Sequence, residues 1–411
     1  MKESLGKRVL MLVENNSYPE DPRVRQEALA LVRAGYPVSV ICPSDAGLPW
    51  REVLDGVHIF RYPAPPYGKN FLGYVWEYSF SLVAMFFLSL QVWYRPGFDI
   101  IHAANPPDTS VLIAAFYKLF GKKFVFDHHD LAPEMYEERF EGKANHFVQS
   151  LLLRLEKLSC KLANWVIATN QSYKQIEVSR DGVPAERVTI VRNGPDLERL
   201  KLVAPDPALR RRASTIIAFA GSISRQDGVD YLIRALNCLR DDLHRRDFYC
   251  VIVGKGAALA GLKTLVRELH LEEYIWLTGF IPDEEMIRYL STAHICVDPD
   301  PFNPFNDRCT MIKMMEYMAL GKAIVAFDLT EHKVTAGDAA LYAKPNEELD
   351  LARKIEMLMD DPDLRARMGK IGRERVEQQL DWALQLPHLI EAYQQLTCEK
   401  TVAPFTVVNR S

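Results

Sequence analysis

Paired cysteines, net charge and internal repetition are all scarce in this sequence. Its seven cysteines are scattered along the chain, at Cys42, Cys160, Cys238, Cys250, Cys296, Cys309 and Cys398. No two of them have the spacing of a metal site, and we expect reduced thiols in a cytoplasmic protein. The net charge of −4 supplies no strong basic field, so no nucleic acid is expected as a partner.

A secretory leader is not predicted either. The first eight residues, MKESLGKR, contain no apolar run, and a short segment typical of a strand follows at once.

One uncharged stretch, Tyr78–Tyr94, is nearly long enough to cross a bilayer, which takes about 20 apolar residues. Four polar residues dilute it, and the charged residues Glu77 and Arg95 bracket it tightly. We expect a helix buried against a sheet. The alternative is that one face of this helix contacts a membrane surface.

The composition is that of a folded protein with more than one core. The 411 residues are 48% hydrophobic and 25% charged, which is typical of globular proteins. A chain of this length fits two domains of about 200 residues each.

Short apolar runs alternate with amphipathic helices along most of the chain. A strand at 8–13, a helix at 24–34 that follows Asp21-Pro22, and a strand at 38–42 form the first unit. The alternation breaks at Asn193-Gly194-Pro195 and restarts at Ile216. We therefore predict an α/β fold of two Rossmann-like, doubly wound domains that face each other across a cleft.

The domain boundaries follow from this break. Residues 1–195 are predicted to form the first domain, 196–214 a polar linker and 215–380 the second domain. The C-terminal helix, about residues 381–411, is a candidate to pack back on the first domain. Ligands of such sheets bind beyond the carboxyl ends of the strands, so a two-part substrate is expected between the domains.

The segment that leads into the predicted helix at 310–319 suits a diphosphate. The free N–H groups near Thr310, Met311 and Ile312 lie at the positive end of the helix dipole. Lys313 and Glu316 are three residues apart, so the lysine can meet phosphate charge while the carboxylate accepts ribose hydroxyls. An ordinary amphipathic helix with an ion pair is the alternative.

The run Glu316-Tyr317-Met318-Ala319-Leu320-Gly321-Lys322 resembles the donor-site signature of retaining glycosyltransferases of family 4. Further segments resemble that family in the same order along the chain: 21–28, 193–194, 220–221, 253–256 and 278–282. The resemblance implies the two-domain GT-B fold and a nucleoside diphosphate sugar as substrate, with no other cofactor and no metal. It implies a donor site at Gly221, Gly254, Lys255, Gly279, Thr310, Met311, Ile312 and Glu316.

Three positions depart from the family. Arg308 stands where the family has a glutamate that holds the donor sugar, and Ser222 and Asp227 replace an arginine and a lysine that bind the diphosphate. The loop at 221–228, which contains Ser222 and Asp227, resembles instead a branch of the family that makes bacterial cell-surface glycans. We predict that Arg308 and Lys313 supply the missing positive charge and act as catalytic residues, with exposed salt bridges as the alternative.

The first domain should bind the acceptor. In the family a histidine beside the reacting sugar maps to His129, at the end of the predicted strand 124–127. We predict His129 as catalytic and His102, Asp130 and Arg23 as acceptor-side residues, although His102 alone fits a structural role equally well.

The resemblance implies a metal-independent transfer of a sugar to a hydroxyl with retention, in cell-surface polysaccharide or glycolipid synthesis. The acceptor would be a glycan or a lipid-linked glycan, and the enzyme cytoplasmic or peripheral on the inner membrane face. Asp298-Pro299-Asp300 has the spacing of a metal motif, but loop geometry is the favoured role. A nucleotide-sugar 2-epimerase and a catalytically weakened, membrane-associated binding subunit are the alternatives.

Overall fold

The computed structural model describes residues 6–45, 47–66, 71–140 and 144–397, so Cys398 and the end of the predicted C-terminal helix lie outside it. The described chain contains two sheets, the first mostly parallel and the second parallel, each with helices on both faces, and the predicted α/β fold is confirmed.

The first sheet has the strand order β3-β4-β2-β1-β5-β6-β7-β8. Its strands are β1 (Val9–Leu12), β2 (Val38–Ser44), β3 (Arg51–Leu54), β4 (Val57–Pro63), β5 (Ile100–Ala104), β6 (Lys123–His128), β7 (Trp165–Ala168) and β8 (Val188–Ile190). Its helices are α1 (Pro22–Arg33), α2 (Phe71–Tyr94), α3 (Ser110–Lys118), α4 (Ala132–Arg139), α5 (His146–Leu162) and α6 (Gln171–Ser179).

The second sheet has the order β11-β10-β9-β12-β13-β14 and is parallel throughout its described strands. These strands are β9 (Thr215–Ala220), β10 (Phe248–Val253), β11 (Ile275–Gly279), β12 (Ile295–Asp298), β13 (Ala323–Phe327) and β14 (Ala340–Ala343). The helices are α7 (Pro207–Arg210), α8 (Val229–Asp241), α9 (Leu259–Glu268), α10 (Asp283–Thr292), α11 (Ile312–Ala319), α12 (Thr330–Ala336), α13 (Glu348–Asp360), α14 (Pro362–Arg375) and α15 (Trp382–Thr397).

Local chemistry explains why these elements form. All four side chains of β1 are buried, because helices cover both faces of the sheet. The Asp21 carboxylate accepts a hydrogen bond of 3.0 Å from the Val24 amide at the start of α1, and Pro22 occupies the first helical position, where no amide is needed.

The hairpin β3–β4 was not predicted. β3 runs antiparallel to β4, and Asp55 and Gly56 turn the chain with φ of 51° and 84°. Two successive residues with positive φ are what a tight hairpin requires, and Asp-Gly is a recognised signal for it.

The apolar helix α2 is buried on one face only. Ser81, Met85, Ser89 and Val92 are fully buried on its inner face, but only 28% of its most apolar window is buried. By length and composition alone, Gly73–Tyr94 is long enough to cross a membrane. The prediction of a helix buried against a sheet is therefore right for its inner face and wrong for its outer face.

Helix α15 returns to the first domain. Trp382, Leu389, Ala392 and Tyr393 join the core formed by α1 and β1. The chain therefore crosses between the domains twice, once after Pro195 and once before Trp382.

In each sheet the chain first adds strands on one side of its starting strand and later adds strands on the other side. This switch point lies between β1 and β5 in the first sheet and between β9 and β12 in the second. The crevice beyond the carboxyl ends at such a point is where ligands of doubly wound sheets bind.

Candidate active site

His129 lies just beyond the carboxyl end of β6, and a network of buried charges fixes it. Its Nε2 makes a very short hydrogen bond to an Asp127 carboxylate oxygen, and its amide donates to Asn105 Oδ1 at 2.6 Å. The guanidinium of Arg23 donates two hydrogen bonds to Asp127, at 3.1 and 2.7 Å. Although burial opposes it, Arg23 and His129 keep the pKa of Asp127 well below its usual range. Asp127 therefore stays charged and orients His129.

Two of the predicted acceptor-side residues, His102 and Arg23, belong to the buried part of this network. His102 is fully buried, with Nδ1 2.7 Å from the Tyr393 hydroxyl and Nε2 3.2 Å from Glu27. Burial lowers the pKa of His102, but hydrogen bonds to Asp127 and Glu27 outweigh it and raise the pKa to about 9. Arg23 is also buried. In this structure neither side chain is open to an acceptor, and the structural role for His102 is the better fit.

Asp130 and His128 lie on either side of His129 in the sequence but face different surroundings. Asp130 is half-buried, and burial raises the pKa of its carboxyl group. His128 turns into the domain, where its Nδ1 lies 3.0 Å from Glu177. Of the two adjacent histidines, His129 alone is partly exposed at this edge.

Three predicted donor loops meet at the carboxyl edge of the second sheet. The Gly221 amide donates to the Val253 carbonyl, and the Gly254 amide to the Gly279 carbonyl, each at 3.1 Å. Gly254 has a φ of 152°, and a Cβ there would lie 1.9 Å from the Gly221 carbonyl oxygen. Only glycine permits this approach. The ammonium of Lys255 lies 4.9 Å from the centre of the exposed Phe280 ring.

Lys313 lies at the switch point of the second sheet, beside the Gly221 loop. A Cβ on Gly221 would lie 3.5 Å from Lys313 Cδ. The ammonium bonds closely to Asp300 and lies 3.4 Å from Asp298 and 3.6 Å from Asp227. Burial lowers the pKa of Lys313, but the three aspartates outweigh it, so the lysine stays charged.

The aspartates around Lys313 were not assigned to the site from the sequence. Asp298-Pro299-Asp300 was assigned to loop geometry, whereas both carboxylates contact the lysine. Asp298, Asp300 and His332 lie close enough to hold a metal ion, but the Lys313 ammonium already lies between the two aspartates. The Asp-x-Asp spacing was the available signal in the sequence. The residue that pairs with these aspartates, Lys313, lies thirteen residues after Asp300.

The donor helix begins later than predicted. α11 spans Ile312–Ala319, and Met311 is its N-cap, so Thr310 precedes the helix rather than starting it. Thr310 Oγ1 and the Arg308 carbonyl each accept a hydrogen bond from the Asn170 side chain, at 2.9 and 2.8 Å. Asn170 belongs to the first domain, and it therefore ties the loop before α11 across the cleft.

Arg308 also faces the first domain. Its guanidinium lies 3.4 Å from the Glu134 carboxylate, which also accepts a bond of 2.6 Å from Arg180. In this structure Arg308 bridges the domains, and its guanidinium is not directed at the start of α11.

Glu316 is engaged by a residue from the predicted linker. Arg199 makes a very short hydrogen bond to its carboxylate and reaches Asp283 at 2.5 Å. Burial raises the pKa of Glu316, and Arg199 opposes the shift. A ribose that binds Glu316 would share it with Arg199.

Further contacts across the cleft were missed from the sequence. Glu331 of α12 accepts a hydrogen bond of 2.7 Å from Ser172 and lies 3.5 Å from Arg192, which also bonds to Thr335 at 3.0 Å. Each pair joins residues more than a hundred positions apart, which no local pattern reveals.

Two family models match the chain, one for each domain. "Glycosyltransferase Family 4" matches residues 23–199, and "Glycosyl transferases group 1" matches residues 206–375.

One curated relative is Alpha-D-kanosaminyltransferase of Streptomyces kanamyceticus. It is 28% identical over 159 residues, which are 38% of this chain and 39% of that protein. The chain thus matches well under half of this relative's length.

Solved structures match over almost the whole chain. Sucrose-phosphate synthase of Thermosynechococcus elongatus has a TM-score of 0.78 at 20% identity, covering 95% of this chain and 99% of that one. HepE of Anabaena, solved with UDP and glucose, has a TM-score of 0.71 at 16% identity, covering 95% and 100%. At these identities the likeness shows the fold. The matches do not favour the epimerase or the binding-subunit alternative.

Proposed function

The chain belongs to the GT-B glycosyltransferases of the family 4 type, and from this premise we propose that it transfers a sugar from a nucleoside diphosphate sugar to a hydroxyl group with retention of configuration. The bond between the anomeric carbon and the diphosphate oxygen breaks, and the acceptor oxygen bonds to that carbon on the same face. The acceptor's proton passes to the departing diphosphate. The protein orients the partners and stabilises charge on the leaving group.

The position of Lys313 carries this proposal. Its side chain extends from the first turn of α11 to the Gly221 loop, at the switch point of the second sheet. A diphosphate there would meet its ammonium and the free amides of the first turn of α11. Burial and Asp298 raise the pKa of Asp300, and the Lys313 ammonium opposes this shift.

The first domain supplies the acceptor side. With Nε2 of His129 turned to Asp127, Nδ1 is the ring nitrogen left for a sugar hydroxyl. HepE was solved with UDP and glucose, so a UDP-sugar is the first donor to test. Because the loop at 221–228 resembles the cell-surface branch, we propose that the product is a surface polysaccharide or glycolipid.

We further propose that the enzyme is cytoplasmic and binds the inner membrane face through one apolar surface. Helices α2 and α3 meet through Phe86 and Phe116, with ring centroids 5.2 Å apart, and α3 joins α5 where Lys118 bonds to the Leu162 carbonyl at 2.5 Å. The three helices and the two residues that follow α3 expose large apolar side chains: Trp76, Val83, Phe87, Tyr94, Leu112, Leu119, Phe120, Phe147 and Leu151. Large apolar side chains exposed on neighbouring helices indicate an interaction site.

A bilayer fits this surface better than a protein partner. Exposed basic residues of α5, Arg154, Lys157 and Lys161, border the apolar side chains, and such residues favour anionic lipid headgroups. A lipid-linked acceptor would then be presented directly to the first domain.

The decisive experiment is a panel of UDP-, GDP- and dTDP-sugars with lipid-linked and alkyl glycoside acceptors, with mass spectrometry of the products. Parallel reactions with EDTA test the predicted metal independence. Transfer of a sugar from one of the donors to one of the acceptors, with NMR showing that the anomeric configuration is retained, supports the proposal. Conversion of a donor without any acceptor would point to an isomerase instead.

A further inference from the structure

A cavity of about 350 Å³ opens in the second domain, at the end of the sheet opposite to the donor loops. Three aromatic side chains line it, Tyr249 of β10, Trp276 of β11 and Tyr289 of α10, together with residues in and beside α7. Tyr249 and Trp276 are each the second residue of their strand. A parallel strand rises about 3.3 Å per residue, so Tyr249 lies about 16 Å from Gly254 along β10. The cavity is therefore separate from the proposed reaction site.

Trp276 is the open part of the aromatic wall. It is 40% exposed, whereas Tyr249 and Tyr289 are each 8% exposed. The Trp276 and Tyr289 rings pack with their centroids 5.4 Å apart and their planes inclined at 59°. The buried tyrosine thus supports the indole ring, whose remaining surface is available to the apolar face of a ligand.

Arg212, which follows α7, brings a positive charge to the cavity. Its guanidinium lies over the Tyr249 ring, with Cζ 4.4 Å from the ring centre. Among the residues that the structure describes, none accepts a hydrogen bond from this guanidinium or pairs with its charge. The N–H groups of a stacked guanidinium are therefore left for a ligand.

Asp206, the acidic residue of the lining, is already paired. Its carboxylate accepts two amide hydrogen bonds at the start of α7, at 2.8 and 3.0 Å, and lies 3.5 Å from Arg288. Two more arginines, Arg210 and Arg211, directly precede Arg212, and both are exposed. The charge around the cavity is therefore positive, which favours an anionic ligand.

We infer that Arg212, Tyr249 and Trp276 bind an acidic sugar unit of a glycan chain, an inference that rests on the proposed function for the class of its ligand. A guanidinium donates two parallel hydrogen bonds to a carboxylate, and the C–H face of a sugar ring packs on the exposed indole. Because the cavity is remote from the reacting atoms, it holds a distant part of the acceptor or product chain. The enzyme would thus retain a long glycan while the end of that glycan reacts in the cleft.

A glycan fits this cavity better than a nucleic acid does. Single-stranded nucleic acids also stack on aromatic rings and carry negative charge. Their charge density calls for an extended basic surface, whereas the net charge of this chain is −4. One stacked arginine is sufficient for a sugar that carries a single carboxylate.

The test measures binding of glycans to the full chain by calorimetry, without a donor. Hyaluronan hexasaccharide and a galacturonate hexamer are the acidic probes, and chitohexaose is the neutral one. We expect Arg212→Gln to weaken binding of an acidic probe about ten- to a hundredfold and to leave the Kd for UDP within about twofold. Trp276→Ala, at an exposed position, should weaken binding of the acidic and the neutral probes alike. Arg211→Gln is the matched control, because Arg211 is exposed and does not line the cavity.

The site is overturned if neither acidic probe binds, if chitohexaose binds as tightly as both, or if Arg211→Gln weakens binding as much as Arg212→Gln. Displacement of the acidic probe by UDP would place the glycan in the cleft and also overturn it. Tighter binding of a thymidine oligonucleotide, lost in Arg212→Gln, would assign the cavity to nucleic acid instead. Binding of an acidic glycan that depends on Arg212 supports the site even if no sugar is transferred, a result that would count against the proposed function alone.

Discussion

The ammonium of Lys313 lies 3.6 Å from the carboxylate of Asp227, although one residue is in α11 and the other precedes α8. Position 227 is where the resembled family has a lysine on the diphosphate. In this structure a lysine from α11 therefore lies beside the position where the family has its lysine and this chain has Asp227. We propose that Lys313 takes the place of the usual basic pair toward a diphosphate.

Lys313 is expected to act on the leaving group. Lys313→Ala should lower turnover about a hundred- to a thousandfold, because it removes a preorganised charge. The Kd for UDP should change by less than about tenfold. The double variant Lys313→Ala/Asp227→Asn keeps the local net charge and separates a folding defect from a catalytic one, and exposed Lys333→Ala is the control. Wild-type turnover in both Lys313 variants would exclude the role.

Arg308 should matter less than Lys313. Because its guanidinium pairs with Glu134 across the cleft and is partly exposed, the pair contributes only about 0.2–1 kcal/mol. We expect the factor by which Arg308→Ala lowers turnover to be at least about ten times smaller than the factor for Lys313→Ala. Effects of Arg308→Ala and Glu134→Gln that simply add in a double-mutant cycle would show that this pair is not coupled.

Glu316 is expected to hold the donor ribose. Glu316→Gln should weaken UDP binding about ten- to a hundredfold in calorimetry. Arg199→Gln should strengthen it or leave it unchanged, because Arg199 competes for the same carboxylate. A folded Glu316→Gln variant with wild-type affinity would remove Glu316 from the site.

The buried His102 predicts how stability depends on pH. Its pKa is raised from 6.5 to about 9, with Glu27 and Asp127 as its charged neighbours. Its contribution is therefore fully present below pH 6.5 and lost as the pH rises through 9, a change of about 3 kcal/mol. Urea unfolding from pH 6 to 10 should show a steeper decline for the wild type than for His102→Gln. The exposed His58→Gln should match the wild type, and parallel curves for all three would contradict the assignment.

The apolar surface of α2, α3 and α5 predicts membrane binding. The wild type should float with anionic liposomes at low salt, and a triple variant with serine at Trp76, Phe87 and Phe120 should stay at the bottom of the gradient. Trp50→Ser is the control, because Trp50 is similarly exposed, at 57%, but lies before β3. If the wild type does not float, the surface serves another partner.

The two-domain fold could be predicted because it depends on local periodicity. The alternation of strand and helix around β1 shows how clearly buried strands can be recognised in a sequence. The hairpin at Asp55-Gly56 was missed although its turn carries a clear signal. The start of α11 was predicted two residues too early, at Thr310, whose hydroxyl in the structure accepts a hydrogen bond from Asn170.

The surroundings of the site residues could not be predicted in the same way. The sequence identified Lys313 and Arg308 by charge and position, but their partners, Asp298 of β12 and Glu134 of α4, come from distant elements. Only the fold brings these pairs together. The burial of His102 likewise depends on Tyr393, nearly three hundred residues away.

The two chain crossings between the domains touch each other. A Cβ on Gly194 would lie 2.5 Å from the Leu380 carbonyl oxygen, and the Trp382 amide lies 3.4 Å from the Pro195 oxygen. The two backbone segments that join the domains therefore meet at one place, and a side chain at Gly194 would collide with the Leu380 carbonyl there.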